Sequence, residues 1–514
     1  MGFTLLDGAI IVLYLVAVAV FGIWSAGTQK SSTDYFLGGR EMPWWAILFS
    51  VVATETSTLT FISIPAVAYG GNLFFLQLTI GYILGRIIVA IWFLPAYVKG
   101  EMTTAYQFLE KRFGSGMRKA ASSTFIVTRL LADGVRLFAT AIPLAIIFRF
   151  AGVFDSWGDG SIYLLAISTI AIITLIYTFL GGIKAVIWMD VVQMVVYIGG
   201  ALFALMLMLG KIDTSFADSI AMLSSDGKFR MFNFGGGLTM QEFLADPYVF
   251  WVAVFGGAVF SIASHGTDQL IVQRLLATGN LKSSQKALVW SGFVAAAQFA
   301  LFLFIGLMLY VFYEGANLSE LGLRTTDEIF AKFIVDHMPV GVAGLIIASL
   351  FAAAMSSLSS SLNALASSTT YDIIKPLFGS EWDQEQELWI SRLTTIVWGV
   401  ILTGSAFLFT WLQLSGDEQP AIVELGLGIA SYTYGGLLGI FMLGRLFPHP
   451  DKTDAMIGFF TGLISLLFMV EGALQQFLPG EALTIAWPLY TLVGGVIVIA
   501  VANGSFYLRK LINR

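Results

Sequence analysis

Trp44-Trp-Ala-Ile-Leu-Phe-Ser-Val-Val-Ala-Thr-Glu-Thr-Ser-Thr-Leu-Thr-Phe61 is an apolar run with a polar middle. From Ala53 to Thr60 it carries Glu55 among threonines and serines, which are poor helix formers. A helix crossing a bilayer has no water for its free backbone groups. If the helix unwinds here, the carbonyls of Ala53 and Thr56 lose their intrahelical partners and can serve a cation. The competing reading is a continuous helix whose hydroxyls bond back to the preceding turn. Glu55 weighs against it, because an intramembrane carboxylate costs roughly 3 kcal/mol or more unless paired.

Working outward, the whole chain has the composition of a polytopic membrane protein. It has 514 residues, 57% hydrophobic and 12% charged, with a mean hydropathy of +0.83; soluble proteins carry about twice that charge. Thirteen apolar runs are each long enough to cross a bilayer. They lie at about 7–26, 43–70, 72–98, 119–150, 160–182, 184–210, 247–276, 286–313, 339–372, 388–413, 420–445, 453–474 and 484–507. An all-α protein of 13 transmembrane helices forming a single transporter-type domain over 1–514 is expected, with no appended soluble domain. The first run lacks the basic start and cleavage site of a signal peptide and is expected to be retained. With no cysteine there is no disulfide, thiolate metal site or thiol nucleophile. The three histidines are far apart in sequence, and no paired catalytic aspartates are visible, so an enzyme is not expected. The net charge of −6 sits in loops and sets topology.

With the N-terminus outside, 18 of the 27 Lys+Arg fall in cytoplasmic loops and helix ends, Arg274 among them. Six fall outside (Arg149, Lys211, Lys228, Arg230, Arg324 and Lys332), and Arg86, Arg129 and Arg136 lie within spans. That bias satisfies the positive-inside rule and predicts N-out, C-in. Two outer loops, 211–246 and 314–338, are long enough for short helices or lids.

A second stretch, Phe351-Ala-Ala-Ala-Met-Ser-Ser-Leu-Ser-Ser-Ser-Leu-Asn363, sets Ala353, Ser356, Ser357 and Ser360 at i, i+3, i+4 and i+7. Ser359 lies beside that stripe. Hydroxyls without imidazole or thiol suit a hard alkali cation; they equally suit close helix packing. A cation site needs oxygens from a second element. Asp190, about two turns into the span at 184–210, is at the depth of Ser359 and Ser360 and offers the charge a desolvated ion needs, unless Lys184 pairs it. In the span at 119–150, Arg129 and Asp133 are i, i+4 and can pair. Arg136 is level with Glu55, and reads as its ion-pair partner or as a fork for a substrate carboxylate. Arg86 is deep, with no sharp role. Ser264–Gln269 looks like a second helix interruption, and Tyr432 and Tyr434 either gate a cavity or pack.

These features together resemble the sodium/solute symporters, with a LeuT-like 5+5 inverted repeat. The resemblance is carried by Asp34-Tyr-Phe-Leu-Gly-Gly-Arg40, the Ala53–Thr60 break, Leu180-Gly-Gly-Ile-Lys-Ala-Val-Ile-Trp-Met-Asp190, Gln273-Arg274 and the serine stripe. The nearest pattern is that of the bacterial sialic acid symporters. The resemblance implies repeats at 43–210 and 247–445, with one extra N-terminal and two extra C-terminal helices. It implies a first Na+ site from Ala53, Thr56, Ala353, Ser356 and Ser357, and a second from Asp190, Ser356, Ser359 and Ser360. It implies substrate contacts from Glu55, Ser57, Thr60, Phe75, Gln77 and Arg136. Glu55 departs from the sialic acid pattern, which has a neutral residue there. The implied function is Na+-coupled uptake of a small polar solute (a sugar, a polyol or a sugar acid such as sialic acid) across a bacterial inner membrane. A membrane sensor and an H+-coupled symporter are the alternatives. The expected partners are the small-molecule substrate and membrane lipid, without nucleic acid, around a monomer.

Overall fold

The computed structural model describes residues 4–25, 27–150, 152, 156–379, 381–415, 422–470 and 485–512. Helices account for nearly all of it. The long ones are α1 (Leu5–Ser25), α2 (Trp44–Glu55), α3 (Thr58–Gly70), α4 (Leu76–Trp92), α5 (Ser115–Phe150), α6 (Asp159–Leu209) and α7 (Phe250–Gly266). They continue with α8 (Gln269–Leu276), α9 (Leu281–Phe312), α10 (Val342–Ser368), α11 (Gln384–Ser415), α12 (Ile422–Leu446), α13 (Lys452–Val470) and α14 (Tyr490–Ile512). Among the described residues, nine helices are long and apolar enough to cross a membrane, or ten with the bent α2–α3 pair. Within that count α6 is one helix of 51 residues, kinked at Gly182, where two spans are predicted. Gly182 has φ 54°, and a Cβ there would lie 2.4 Å from the Tyr35 carbonyl oxygen. Both the backbone conformation and the close approach require glycine.

Burial sorts the helices into centre and rim. In α10 and its continuation, 89% of the apolar window is buried, against 28% in α1 and 33% in α14. A helix of alanine and serine can be packed on every side, so α10 forms the axis. It lies against α6 and α1, while α7 packs on α4 and α12–α14 pack together. Asp7 of α1 fixes the start of α10 by accepting from the backbone of Gly341 (2.8 Å) and Gly344 (2.9 Å).

Both predicted interruptions are present. α2 and α3 bend by 67° at Thr56 (ψ 129°) and Ser57 (φ −126°, ψ 168°). α7 ends at Gly266, and α8 restarts after Asp268, whose side chain accepts from the Leu270 amide. The loops 211–246 and 314–338 hold the short helices Phe216–Ser225, Met240–Ala245 and Glu328–His337. α10 runs into a π-helical turn, Thr369–Ile374.

Candidate functional site

The α2–α3 break frees main-chain oxygen where α10 brings hydroxyls. In a continuous helix the Ser57 amide would donate to the Ala53 carbonyl; here it donates to Thr60 Oγ1 (3.3 Å), while the Thr60 amide donates to Ser57 Oγ (3.4 Å). This reciprocal cap starts α3 and releases the end of α2. Ser357 Oγ then donates to the Thr56 carbonyl at 3.1 Å. Oxygens about 3 Å apart are neighbours around a hard cation bound at about 2.4 Å. Ala353 and Ser356 lie on the same buried stripe one turn apart. Thr56 is fixed in turn by Gln298, whose Nε2 donates to Thr56 Oγ1 at 2.8 Å.

Asp190 meets α10 at Ser356, the residue next to Ser357. Its carboxylate accepts from Ser50 (2.5 Å) and Ser356 (2.6 Å), with Arg274 Nη2 at 3.4 Å. Arg274 also donates to Ser50 Oγ (2.9 Å), the Leu270 carbonyl (2.8 Å) and Ser360 Oγ. Ser359 and Ser360 both donate to the Ser356 carbonyl, at 3.0 and 2.7 Å. Asp190 and Arg274 have no exposed surface. Two sequence readings are thereby corrected. Arg274 is not at a solvated helix end, because the restart at α8 turns its side chain into the core. Asp190 takes its positive charge from Arg274 rather than Lys184.

Glu55 is corrected too. It pairs with Arg86 and with His265 Nε2, one carboxylate oxygen to each, and not with Arg136. Glu55 is the last residue of α2, and Arg86 reaches it from beyond the middle of α4. The sequence matched Glu55 in depth to Arg136 and left Arg86 without a role. Arg86 reaches across to α9 as well, donating to Ser291 Oγ at 3.1 Å.

Arg136 makes no ion pair or hydrogen bond among the described residues. It lines a cavity between α5 and α10 with Asp133, Leu137, Thr140, Ser357 and Ser361. The unpaired guanidinium and the hydroxyl that meets Thr56 thus share one space. Ser57 and Thr60 are the α3 cap beside it. Phe75 packs on Phe299, ring centroids 5.0 Å apart. Gln77 is buried and bonded to the Tyr248 carbonyl (2.8 Å) and the Asn233 amide (3.0 Å).

One cluster escaped sequence reading. Arg129 pairs with Asp133 at 3.3 Å, as its spacing suggests, but also with Asp268 in the α7–α8 break and with the Tyr434 hydroxyl. The Tyr434 hydroxyl in turn donates to Asp268 at 2.7 Å. Asp268, at the end of the polar Ser264–Gln269 run, was the available signal. The side chain of Tyr432 lies outside the described residues.

Comparison with known proteins follows this geometry. The model of the sodium:solute symporter family matches residues 35–462. The sodium/sialic acid symporter SiaT of Proteus mirabilis is 31% identical over 469 residues, covering 90% of this chain and 89% of the relative. The sodium/sialic acid symporter NanT of Aliivibrio fischeri is 32% identical over 470 residues, covering 89% and 86%. The human sodium/iodide cotransporter is 28% identical over 483 residues, covering 91% and 70%. A solved Na+-coupled sialic acid symporter, in a substrate-bound outward-open state with a novel Na+ site, superposes with a TM-score of 0.82 at 29% identity over 98% of both chains.

Proposed function

Because the chain belongs to the sodium:solute symporter family, we propose that it carries an acidic sugar of the sialic acid type into the cell with Na+, the acid group held by Arg136. The chain is a Na+-coupled transporter, not an enzyme, and Na+ is its coupling ion. The observation that carries the substrate assignment is the unpaired Arg136 in the cavity it shares with Ser357. Glu55 had argued against an acid, since two carboxylates repel. With both Glu55 oxygens engaged by Arg86 and His265, that objection weakens; of the cavity's two charged residues, Asp133 is paired with Arg129 and Arg136 is the unpaired cation among the described residues.

Na+ in the first site is held by the Ala53, Thr56 and Ala353 carbonyls and the Ser356 and Ser357 hydroxyls. It displaces the Ser357–Thr56 hydrogen bond and so ties the α2–α3 break to α10. A second Na+ takes Asp190, Ser356, Ser359 and Ser360. Arg274 already neutralises Asp190, so that ion enters only as Arg274 withdraws. Ser57 and Thr60, beside Thr56, and Phe75 flank the substrate; Gln77 does not contact it, because both ends of its amide are held by the Tyr248 carbonyl and the Asn233 amide. Thirteen crossings, with the α6 kink dividing two spans, give two inverted repeats at 43–210 and 247–445, N-out and C-in, in a monomer of the bacterial inner membrane.

Thermal stability of the purified protein tests the substrate reading, with sialic acid, neutral hexoses and polyols offered in NaCl and in KCl. Sialic acid should stabilise only in NaCl, and Arg136→Ala should weaken its apparent affinity more than tenfold, the loss of a bidentate charge-assisted contact. Stabilisation by a neutral sugar, unaffected in Arg136→Ala, would assign the pocket to a neutral solute.

A further inference from the structure

The loop preceding α7 exposes its apolar side chains while its backbone is firmly fixed. Met231, Phe232, Phe234 and Met240 are between 45% and 73% exposed. This is not loose packing. The Arg230 carbonyl accepts from the Leu73 amide (3.0 Å), the Asn233 amide donates to Gln77 Oε1 (3.0 Å), and the Asn233 carbonyl accepts from the Phe250 amide (2.6 Å). Nearby, Lys228 Nζ donates to the Tyr69 carbonyl at 2.6 Å. A loop facing only water gains nothing by holding large rings outward.

The rings also form one series with the membrane-facing side of α7. Phe232 and Phe234 stack at 6.0 Å, Phe234 meets Phe250 at 5.1 Å, Phe250 meets Trp251 at 5.1 Å, and Trp251 stacks on Phe255 at 6.0 Å. Trp251 and Phe255 are exposed on the first turns of a span, where a membrane helix meets lipid. Aromatic side chains concentrate at that boundary. Arg230, Gln241 and Glu242 flank the patch, polar groups suited to the headgroup level.

We propose that residues 231–240 are a membrane-interface anchor, seated in the bilayer boundary at the end where α7 begins. The occupant of this surface is lipid, because the patch continues a surface that already faces lipid. The anchor is stitched to the α3–α4 corner through Tyr69, Leu73 and Gln77, so that corner is held at the bilayer surface as well. Gln77 thus acts as the loop's fastening.

The chain has no cysteine, so single nitroxide labels can be placed without background. Phe234→Cys and Phe232→Cys, labelled in proteoliposomes, should show an oxygen-to-nickel-chelate accessibility ratio severalfold above that of Asp213→Cys on the neighbouring exposed segment, and approaching that of Phe255→Cys. A ratio equal to that of Asp213→Cys overturns the anchor. So does shielding from both reagents with spin–spin broadening, which would assign the patch to a second copy of the chain. If either phenylalanine variant misfolds, Met240→Cys reads the same surface.

Discussion

Glu55 is the residue whose interpretation changed most. The sequence presents an intramembrane carboxylate with Arg136 as the partner at its depth and Arg86 without a role. Arg86 takes it by reaching from α4 to the end of α2, and His265 joins from the end of α7. Arg136 is left unpaired among the described residues, lining the cavity. Removing Arg86 strands a largely buried charge, so Arg86→Met should destabilise the protein by about 3 kcal/mol. Arg86→Met with Glu55→Gln should recover most of that loss, because both charges leave together. Thermal denaturation of the two variants in detergent measures the difference; equal destabilisation would mean the pair is not coupled. The serine stripe was legible as a set of hydroxyls. The partner of each was not, because a one-residue rotation of α10 would exchange Ser356 and Ser357 between Asp190 and Thr56.

At the scale of elements, the two broken helices set which side chains meet. The α2–α3 break was legible because Thr-Glu-Thr-Ser-Thr favours caps over helix interior, and the observed Ser57–Thr60 cap is that preference realised. The α7–α8 break was legible from its polar residues, yet its main consequence was hidden. Restarting the helix at Gln269 carries Arg274 into the core, against Asp190 of α6 and Ser360 of α10. A charge count assigns an arginine near the end of a span to the cytoplasm and has no means of seeing this. If Asp190 holds a second Na+, the charge-neutral double variant Asp190→Asn/Arg274→Met should lower the Hill coefficient of Na+-driven uptake towards one. An unchanged coefficient above one would put the second ion elsewhere, and a wild-type value of one would remove it from the transport path.

Across the whole molecule, the fold places a cavity between α5 and α10, and Ser357 on its wall also meets the α2–α3 break at the Thr56 carbonyl. In the proposed mechanism, Na+ bridging Thr56 and Ser357 organises the wall on which substrate then closes. Each Na+ carried inward gains about 2.3 kcal/mol per 100 mV, roughly a 50-fold accumulation. The membrane class and most span limits were readable from hydropathy, since apolar length is a local property. The stitching of the loop before α7 to the α3–α4 corner was not, because it depends on backbone bonds between distant segments. The most direct test of Na+ coupling at Ser357 is uptake of labelled sialic acid into proteoliposomes under an inward Na+ gradient. Wild-type protein should accumulate the acid only with Na+ outside, faster with the interior negative, and Ser357→Ala should abolish that accumulation. Accumulation driven by a proton gradient without Na+, or undiminished in Ser357→Ala, would contradict it.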